Sequence, residues 1–217
     1  MRTLFVTSTG TEIGKTYVTA ALARHYKAKG ERVTVLKPVL SGFDPNDFAG
    51  SDPAILLQAL GETPTLAAVG RVSPFRYRAP LAPNQAAAKE GSKVDFDAIV
   101  KCCEDAASAD GDLLLIEGIG GLMVPLDDSR TVLDLIAALG APILLVTGSY
   151  LGTISHTLTA VEAAKTRKLA VHAIVISESE GSTVPLEDTA AAIRRFTELP
   201  VATLTRGGSI QSLTDLL

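Results

Sequence analysis

The sequence has little positive charge and few aromatic residues. Lysine and arginine number 20 against 24 aspartates and glutamates, which gives a net charge of −4, and aromatic residues make up 5% of the chain. No lysine–arginine block is present. A positive face for nucleic acid or anionic lipid is therefore not expected. The expected partners are small molecules or other protein subunits.

Cysteine and long apolar runs are also scarce. The only cysteines, Cys102 and Cys103, are adjacent, and this spacing suits neither an ordinary disulfide nor a metal site, so we expect them to pack on a helix. No apolar run approaches the roughly 20 residues of a membrane helix. The N-terminal residues carry no pattern typical of a secretory signal. We therefore expect a cytoplasmic protein that does not bind membranes.

What the sequence does contain is an alternation of strand-length apolar runs with helical periodicity. Strands are predicted at 3–7, 33–36, 113–116, 143–146 and 173–176, and helices are predicted between them. The segment 38–94 is richer in proline, glycine and polar residues and is predicted to form loops with short helices. Buried strands separated by amphipathic helices predict an α/β fold, a parallel sheet sandwiched between helix layers. A single domain spanning 1–217 is expected.

A phosphate-binding loop is predicted directly after the first strand. The chain there reads Ser8-Thr9-Gly10-Thr11-Glu12-Ile13-Gly14-Lys15-Thr16 and runs into a helix. Gly14 lets the backbone approach phosphates, the helix start attracts anions, Lys15 neutralises the β- and γ-phosphates, and Thr16 completes a magnesium shell. Thr9 replaces the first glycine of the strict motif, so the loop is a variant. The alternative is an ordinary strand-to-helix turn with an exposed lysine.

Charged residues follow two further predicted strands. Lys37 ends the second strand and is suited to phosphoryl transfer, although a surface lysine is the alternative. Glu117 follows a strand that is apolar on both faces and is flanked by glycines, which favours a buried cation partner such as magnesium over a helix cap. Asp52 precedes Pro53 at a predicted helix start, where it serves as a cap, as a metal ligand, or as both. Ligands of parallel sheets bind beyond the carboxyl ends of the strands, where these side chains are expected.

Another predicted helix starts after the strand 143–146, at Leu151-Gly152-Thr153. The free N–H groups of such a helix start are suited to a carboxylate. His156, in the same helix, is interpreted as a structural residue.

These motifs resemble the dethiobiotin synthetase family, in order and spacing across nearly the whole chain. The matching residues are Thr11-Glu12-Ile13-Gly14-Lys15-Thr16, Lys37-Pro38-Val39 with Ser41-Gly42, Ser51-Asp52, Ala79-Pro80 with Pro83, Glu117-Gly118 with Gly120-Gly121, Pro125-Leu126, and Leu151-Gly152-Thr153-Ile154-Ser155-His156.

The resemblance implies a P-loop NTPase-like enzyme that converts 7,8-diaminononanoate, CO2 and ATP into dethiobiotin, ADP and phosphate. One amine captures CO2 as a carbamate, ATP phosphorylates the carbamate, and the second amine closes the cyclic urea. It further implies a homodimer with the active site at the subunit interface, where the substrate carboxylate meets the helix start at 151–153 of the neighbouring subunit.

The resemblance also implies roles for individual residues. Lys15 and Lys37 neutralise the γ-phosphate and the carbamate, while Thr11 and Ser41 hold carbamate oxygens. Mg²⁺ is bound by Thr16, Asp52 and Glu117. The residues implied at the nucleotide site are Glu12, Ile13, Gly14, Lys15, Thr16, Tyr17, Asp52, Glu117, Gly118, Ile119, Gly120, Ser177 and Glu178, and those implied at the substrate are Thr11, Ser41, Leu151, Gly152 and Thr153.

Several residues depart from the family pattern. Ser8 and Gly10 replace a usual Gly and Asp, Asn84 replaces a common His, and Ser155 replaces an Asn. Ser177-Glu178 stand where the family often has an Asn that reads adenine, and the segment 201–208 lacks the usual Pro. ATP is therefore the default nucleotide, and weak discrimination among nucleoside triphosphates is predicted.

Three other functions share part of this pattern. A partition or septum-placement ATPase carries an additional lysine early in the loop, where this chain has Gly10, and often a basic C-terminus, which 211–217 does not provide. A cobyrinate-type amide synthetase needs a glutamine-hydrolysing domain, for which the chain is too short. A non-catalytic nucleotide-binding module does not account for Lys37 and Glu117.

Overall fold

The computed structural model describes residues 1–182 and 184–208. Its elements, in chain order, are β1 (Arg2–Ser8), α1 (Lys15–Ala28), β2 (Val33–Leu36), β3 (Val39–Ser41), α2 (Asp52–Ala59), α3 (Leu66–Val72), β4 (Phe75–Tyr77), α4 (Pro83–Lys89), α5 (Phe96–Ser108), β5 (Leu113–Glu117), α6 (Val132–Leu139), β6 (Ile143–Thr147), α7 (Thr153–Thr166), β7 (Val171–Ser177), α8 (Leu186–Arg194) and β8 (Val201–Leu204).

Six strands form the main sheet in the order β2-β5-β1-β6-β7-β8, and neighbouring strands pair in parallel. The five predicted strands are confirmed, and so is the α/β class. The order places the ends of β1, β2 and β5 side by side, so the loops that follow these strands open at the same edge of the sheet.

Alternate residues of the central strands pack into two separate apolar layers. On one face, Phe5 and Ile116 pack with residues of α5, α6, α7 and α8. On the other face, Val6 and Leu115 pack with residues of α1, α2 and α3. Burial on both faces explains why the strands are apolar throughout rather than alternating.

The sequence analysis missed β3, β4, α8 and β8. Strands β3 and β4 are three residues each and form a separate two-stranded parallel sheet within the segment predicted as loops and short helices. Strand β8 has only four residues, of which Ala202 and Leu204 are buried. Runs this short carry no usable periodicity, and long-range pairing rather than local preference makes them strands.

The expectation that the two cysteines pack on a helix is met. Cys102 and Cys103 are free thiols on α5, and Cys103 is fully buried in the core, where burial raises the pKa of its thiol to about 12. Among the described residues, no helix has both the length and the apolar character to cross a bilayer. The C-terminal residues 211–217, which entered the comparison with partition ATPases, lie outside the described residues.

Candidate nucleotide and phosphoryl-transfer site

The loop between β1 and α1 has the backbone of a phosphate-binding turn. Gly14 is the N-cap of α1 with a φ of 96°, and Glu12 is also left-handed, with a φ of 59°. A Cβ added at Gly14 would lie 2.5 Å from Ser177 Oγ. Glycine is therefore required at position 14 by both conformation and space. The turn leaves the start of α1, with its unpaired N–H groups, facing the crevice.

Lys15 is held inside this loop by oxygen atoms. Its Nζ donates to Ser8 Oγ at 3.1 Å and to the carbonyl of Gly10 at 3.3 Å. Burial and, next, the nearby Lys37 ammonium lower the pKa of Lys15 to about 8, although Glu117 and Asp52 oppose the shift. Burial thus disfavours the charged form of Lys15 in the ligand-free protein, and an anionic ligand bound beside it would stabilise that charged form.

Ser8, one of the departures from the family pattern, connects two loops. Its Oγ lies 2.5 Å from the carbonyl of Gly10 and 3.1 Å from that of Gly120 in the loop after β5. The same loops touch through their backbones, because a Cβ added at Gly121 would lie 3.1 Å from the nitrogen of Gly10. The phosphate loop and the loop after Glu117 are therefore in backbone contact at Gly10 and Gly121 and are joined by the Ser8 hydroxyl.

Beside the phosphate loop, Lys37 joins two carboxylates. Lys37 Nζ lies 2.8 Å from Glu117 Oε1 and 2.9 Å from Asp52 Oδ2, and it also approaches the carbonyl of Gly118 at 3.4 Å. The Thr16 hydroxyl donates to Glu117 Oε1 at 2.8 Å and contacts Asp52. The ends of β2 and β5 and the starts of α1 and α2 thus deliver one cation, two carboxylates and one hydroxyl to one place.

These groups are buried to different degrees. Lys37 and Glu117 are 2% and 0% exposed, whereas the Asp52 side chain is 38% exposed. Burial alone would lower the pKa of Lys37, but Glu117 and Asp52 together outweigh it and raise that pKa. Burial would raise the pKa of Asp52, but Lys37 and the Thr16 hydroxyl lower it below its usual range. Both charges are therefore present at neutral pH.

Asp52 is the first residue of α2, and Ser51 is the N-cap, with Pro53 in the first turn. The Asp52 carboxylate is directed to Lys37 and Thr16. The residue thus begins a helix and also contributes to the charged cluster.

The oxygen donors in this cluster fit a magnesium ion that arrives with a nucleotide. Glu117 Oε2 is buried and has no hydrogen-bond partner among the described residues, so it is free to accept a ligand. Within residues 1–182 and 184–208, no group of three His, Cys, Asp or Glu side chains is arranged to hold a metal by itself. Two carboxylates and a hydroxyl match the usual incomplete protein shell of Mg²⁺, which is completed by phosphate oxygens and water.

A cavity of about 810 Å³ lies over the cluster and the phosphate loop. It brings together many of the residues predicted for the site, namely Thr11, Glu12, Ile13, Gly14, Lys15, Thr16, Lys37, Ser41, Asp52, Ile119 and Gly120. Its other wall is formed by residues that the sequence analysis did not assign to the site: Leu40, Gly42, Pro80, Leu81, Ala82, Pro83 and Val124. Pro80 and Pro83 belong to the motifs that match the dethiobiotin synthetase family, so this match could have identified them as site residues.

A second cavity, of about 590 Å³, shares Glu12, Ile13 and Gly14 with the first. It is lined by Tyr17, Ser177 and Glu178, three of the residues predicted at the nucleotide site. Residues that were not predicted also line it: Tyr150, Ser179, Glu180, Arg206 and Gly207. The two cavities meet at the phosphate loop, which is the arrangement needed for a ligand with a phosphate chain and a separate ring.

The helix start at 151–153 lies apart from both the cluster and the main cavity. Leu151, Gly152 and Thr153 line a different cavity of about 600 Å³, and Leu151 is 92% exposed. Gly152 is the N-cap of α7, with a φ of 95°. His156, interpreted as structural, is hydrogen-bonded through Nδ1 to the Tyr150 hydroxyl at 2.9 Å. Within the described part of this one chain, these substrate-binding candidates do not join the phosphate-binding crevice.

The parallel sheet, the phosphate loop and the buried lysine–carboxylate cluster define a P-loop nucleotide-binding protein. A family model described as an AAA domain matches residues 2–216. The hydrogenase maturation factor HypB from Archaeoglobus fulgidus has a similar fold, with a TM-score of 0.56 over 99% of this chain and 87% of that chain at 13% identity.

Similar proteins of known name identify the family of P-loop proteins to which the chain belongs. The chain is 52% identical over 211 residues to the ATP-dependent dethiobiotin synthetase BioD of a Caulobacter species, covering 96% of this chain and 90% of that protein. It is 49% identical to the BioD of Methylobacterium nodulans, covering 96% and 95%. The chain belongs to the ATP-dependent dethiobiotin synthetase family and is an ATP-dependent ligase.

Proposed function

We propose that this enzyme acts in biotin biosynthesis and closes the ring of dethiobiotin from 7,8-diaminononanoate, CO2 and ATP, releasing ADP and phosphate. Relatives at 45–52% identity carry the name ATP-dependent dethiobiotin synthetase. The observation that carries the proposal is the meeting of Lys37, Glu117 and Thr16 beside the phosphate loop. A bare nucleotide-binding module has no need of a buried lysine there.

The proposed reaction has three steps. One amine of the substrate adds to CO2, loses a proton and becomes a carbamate. A carbamate oxygen then attacks the γ-phosphorus of ATP, which forms a carbamic–phosphoric anhydride and releases ADP. The second amine attacks the anhydride carbon, the carbon–oxygen bond to phosphate breaks, and the cyclic urea is left after loss of a proton. No protein nucleophile is needed, so catalysis rests on positioning and charge neutralisation.

Two lysines and two hydroxyls carry the main roles in this proposal. Lys15 and Lys37 neutralise the oxygens of the γ-phosphate and the carbamate as negative charge develops. Thr11 and Ser41 line the cavity over these lysines and hold the carbamate oxygens. Ser41 Oγ is buried and has no hydrogen-bond partner among the described residues. A buried hydroxyl without a partner is costly, and a carbamate oxygen supplies the missing one.

Thr16, Asp52 and Glu117 are the proposed residues for Mg²⁺. The ion, when bound, neutralises charge on the β- and γ-phosphates. The Lys37 ammonium contacts the same two carboxylates in the ligand-free protein. In this scheme Lys37 therefore moves away from them, toward the substrate phosphate, when the metal nucleotide binds.

A homodimer is part of the proposal. Leu151 is exposed beside a largely apolar cavity at the start of α7, and this helix start lies apart from the phosphate crevice. In the dimer, Leu151, Gly152 and Thr153 of one subunit bind the tail carboxylate of a substrate held in the crevice of the other. Neither nucleic acid nor a membrane takes part, and the cytoplasm, where ATP is available, is the proposed location.

The direct test is to incubate the purified protein with Mg-ATP, bicarbonate and the diamine. The expected result is a product with the mass of the cyclic urea, formed together with one phosphate per product. Phosphate release that needs no diamine, or that DNA or lipid stimulates, would contradict the proposal and favour a switch ATPase.

Lys37→Gln separates catalysis from nucleotide binding in the same assay. We expect the variant to lose urea formation and to keep nearly the wild-type affinity for nucleotide. Lys101→Gln is a matched control, because Lys101 is an exposed helix residue that pairs with Asp105 on the same helix, and it should behave as wild type. An equal loss of affinity and turnover in Lys37→Gln would show that Lys37 only holds the nucleotide.

A further inference from the structure

Glu178 contributes a carboxylate to the lining of the second cavity. It follows β7, where its backbone N–H donates to the carbonyl of Leu204 at 2.9 Å. One carboxylate oxygen, Oε2, accepts from the backbone N–H of Arg206 at 2.9 Å. The carboxylate is thus fixed between β7 and the segment after β8, while its side chain lines the cavity next to the phosphate loop.

The other polar groups of this cavity are largely committed elsewhere. Arg206 pairs through its guanidinium with Glu180 at 3.3 Å, and the Tyr17 hydroxyl lies 3.5 Å from the carbonyl of Gly208. Ser179 exchanges hydrogen bonds with Ser149, through Oγ to the Ser149 N–H and through its own N–H to Ser149 Oγ. Within residues 1–182 and 184–208, the Arg206 N–H is the only hydrogen-bond donor to the Glu178 carboxylate, so Oε1 remains open.

The Ser177 side chain does not offer a hydrogen bond to a ring in this cavity. It is 7% exposed, and its Oγ lies against Gly14, where an added Cβ would be 2.5 Å away. The side chain at this position supports the phosphate loop from behind. The next residue, Glu178, presents its carboxylate to a ring lying in the cavity.

We propose that Glu178 determines base recognition by accepting a hydrogen bond from the exocyclic amino group of the nucleotide base. The inference rests on the proposed nucleotide-binding function. A carboxylate at neutral pH is an acceptor only, so it complements an amino group and gains nothing from a base edge without a donor. Adenine, cytosine and guanine all carry an amino group, so a carboxylate gives weak discrimination among them, as the sequence analysis predicted.

The test compares ATP with purine riboside triphosphate, which lacks only the amino group. Dissociation constants are measured with Mg²⁺ and without the diamine, so that turnover does not enter. For the wild type we expect ATP to bind about tenfold more tightly, the lower end for a hydrogen bond to a charged group, because Glu178 is only half-buried. Glu178→Ala should bring the two affinities within a factor of two.

Asp188→Ala is the matched control. Asp188 is an exposed carboxylate in the first turn of α8 that lines neither cavity at the phosphate loop, so its removal changes the net charge equally and should retain the tenfold preference. Glu178→Gln is a second variant. Its oxygen replaces Oε2 at the Arg206 N–H, its amide NH2 then faces the base, and the preference should again be lost.

The outcomes separate this inference from the proposed function. Equal binding of both triphosphates to the wild type, or a preference that survives Glu178→Ala, overturns the role of Glu178 and leaves nucleotide binding intact. Failure of both triphosphates to bind the wild type overturns the proposed function itself. Loss of the preference in Asp188→Ala as well as in Glu178→Ala would show that net charge rather than a hydrogen bond sets it.

Discussion

Lys37→Met is expected to destabilise the ligand-free protein strongly. Glu117 is fully buried, and among the described residues Lys37 is the only cation within ion-pairing distance of it. Removing one member of a buried pair leaves an uncompensated charge and costs about 3–5 kcal/mol. For a chain of this length, each kcal/mol corresponds to about 2–4 °C in the midpoint of thermal unfolding. The variant should therefore unfold roughly 10 °C below the wild type at neutral pH without nucleotide.

Two further variants make this prediction specific. Lys37→Met combined with Glu117→Gln removes both charges and should recover most of the lost stability, because no buried carboxylate is left unpaired. Asp52→Asn should cost about 1 kcal/mol or less, since the Asp52 side chain is 38% exposed and water can replace part of the interaction. Thermal and urea unfolding of all four proteins would measure this. A double variant as unstable as the single one would refute the reasoning from charge burial.

Two more predictions concern the phosphate loop. Gly14→Ala should abolish nucleotide binding measured by calorimetry, because φ is 96° and the new Cβ would lie 2.5 Å from Ser177 Oγ. Gly30→Ala is the control: its φ is 87° with open space around it, so this variant should lose some stability but bind nucleotide normally. Equal affinity in both variants would contradict the packing argument. Because burial lowers the pKa of Lys15 to about 8 and bound phosphate raises it again, affinity for the nucleotide should be constant below pH 8 and fall as the pH rises above it. Calorimetry in buffers of different ionisation enthalpy should then detect proton uptake near one per site at pH 9 and close to none at pH 7, and an uptake that does not change with pH would contradict the assignment.

The central residues of the site could be predicted because local sequence and sheet geometry agree there. Gly14, Lys15 and Thr16 lie in the loop and helix start after β1. Glu117 ends β5, which pairs with β1, and Lys37 follows β2 on the other side of β5, so a parallel sheet brings all of them to the same edge. The resemblance to a known family added Asp52, which the pattern alone left open between a cap and a ligand. The structure shows that it begins α2 and also pairs with Lys37.

Other features depend on contacts between distant parts of the chain. Strand β8 brings Arg206 to Glu178, which lies 28 positions earlier, and no local pattern reveals that pairing. The role of Ser8 in contacting Gly120 is equally non-local. The short strands β3 and β4 pair with each other across more than 30 residues, and three residues are too few for a period to be recognised.

The close approach of Gly10 and Gly121 has a consequence for how this crevice tolerates change. With only 3.1 Å between the nitrogen of Gly10 and a Cβ placed at Gly121, a methyl group at position 121 requires the phosphate loop and the loop after β5 to move apart by a few tenths of an ångström. A change in either turn is thus transmitted to the other as a displacement, which would disturb the proposed phosphate-binding residues and the proposed metal-binding residues together.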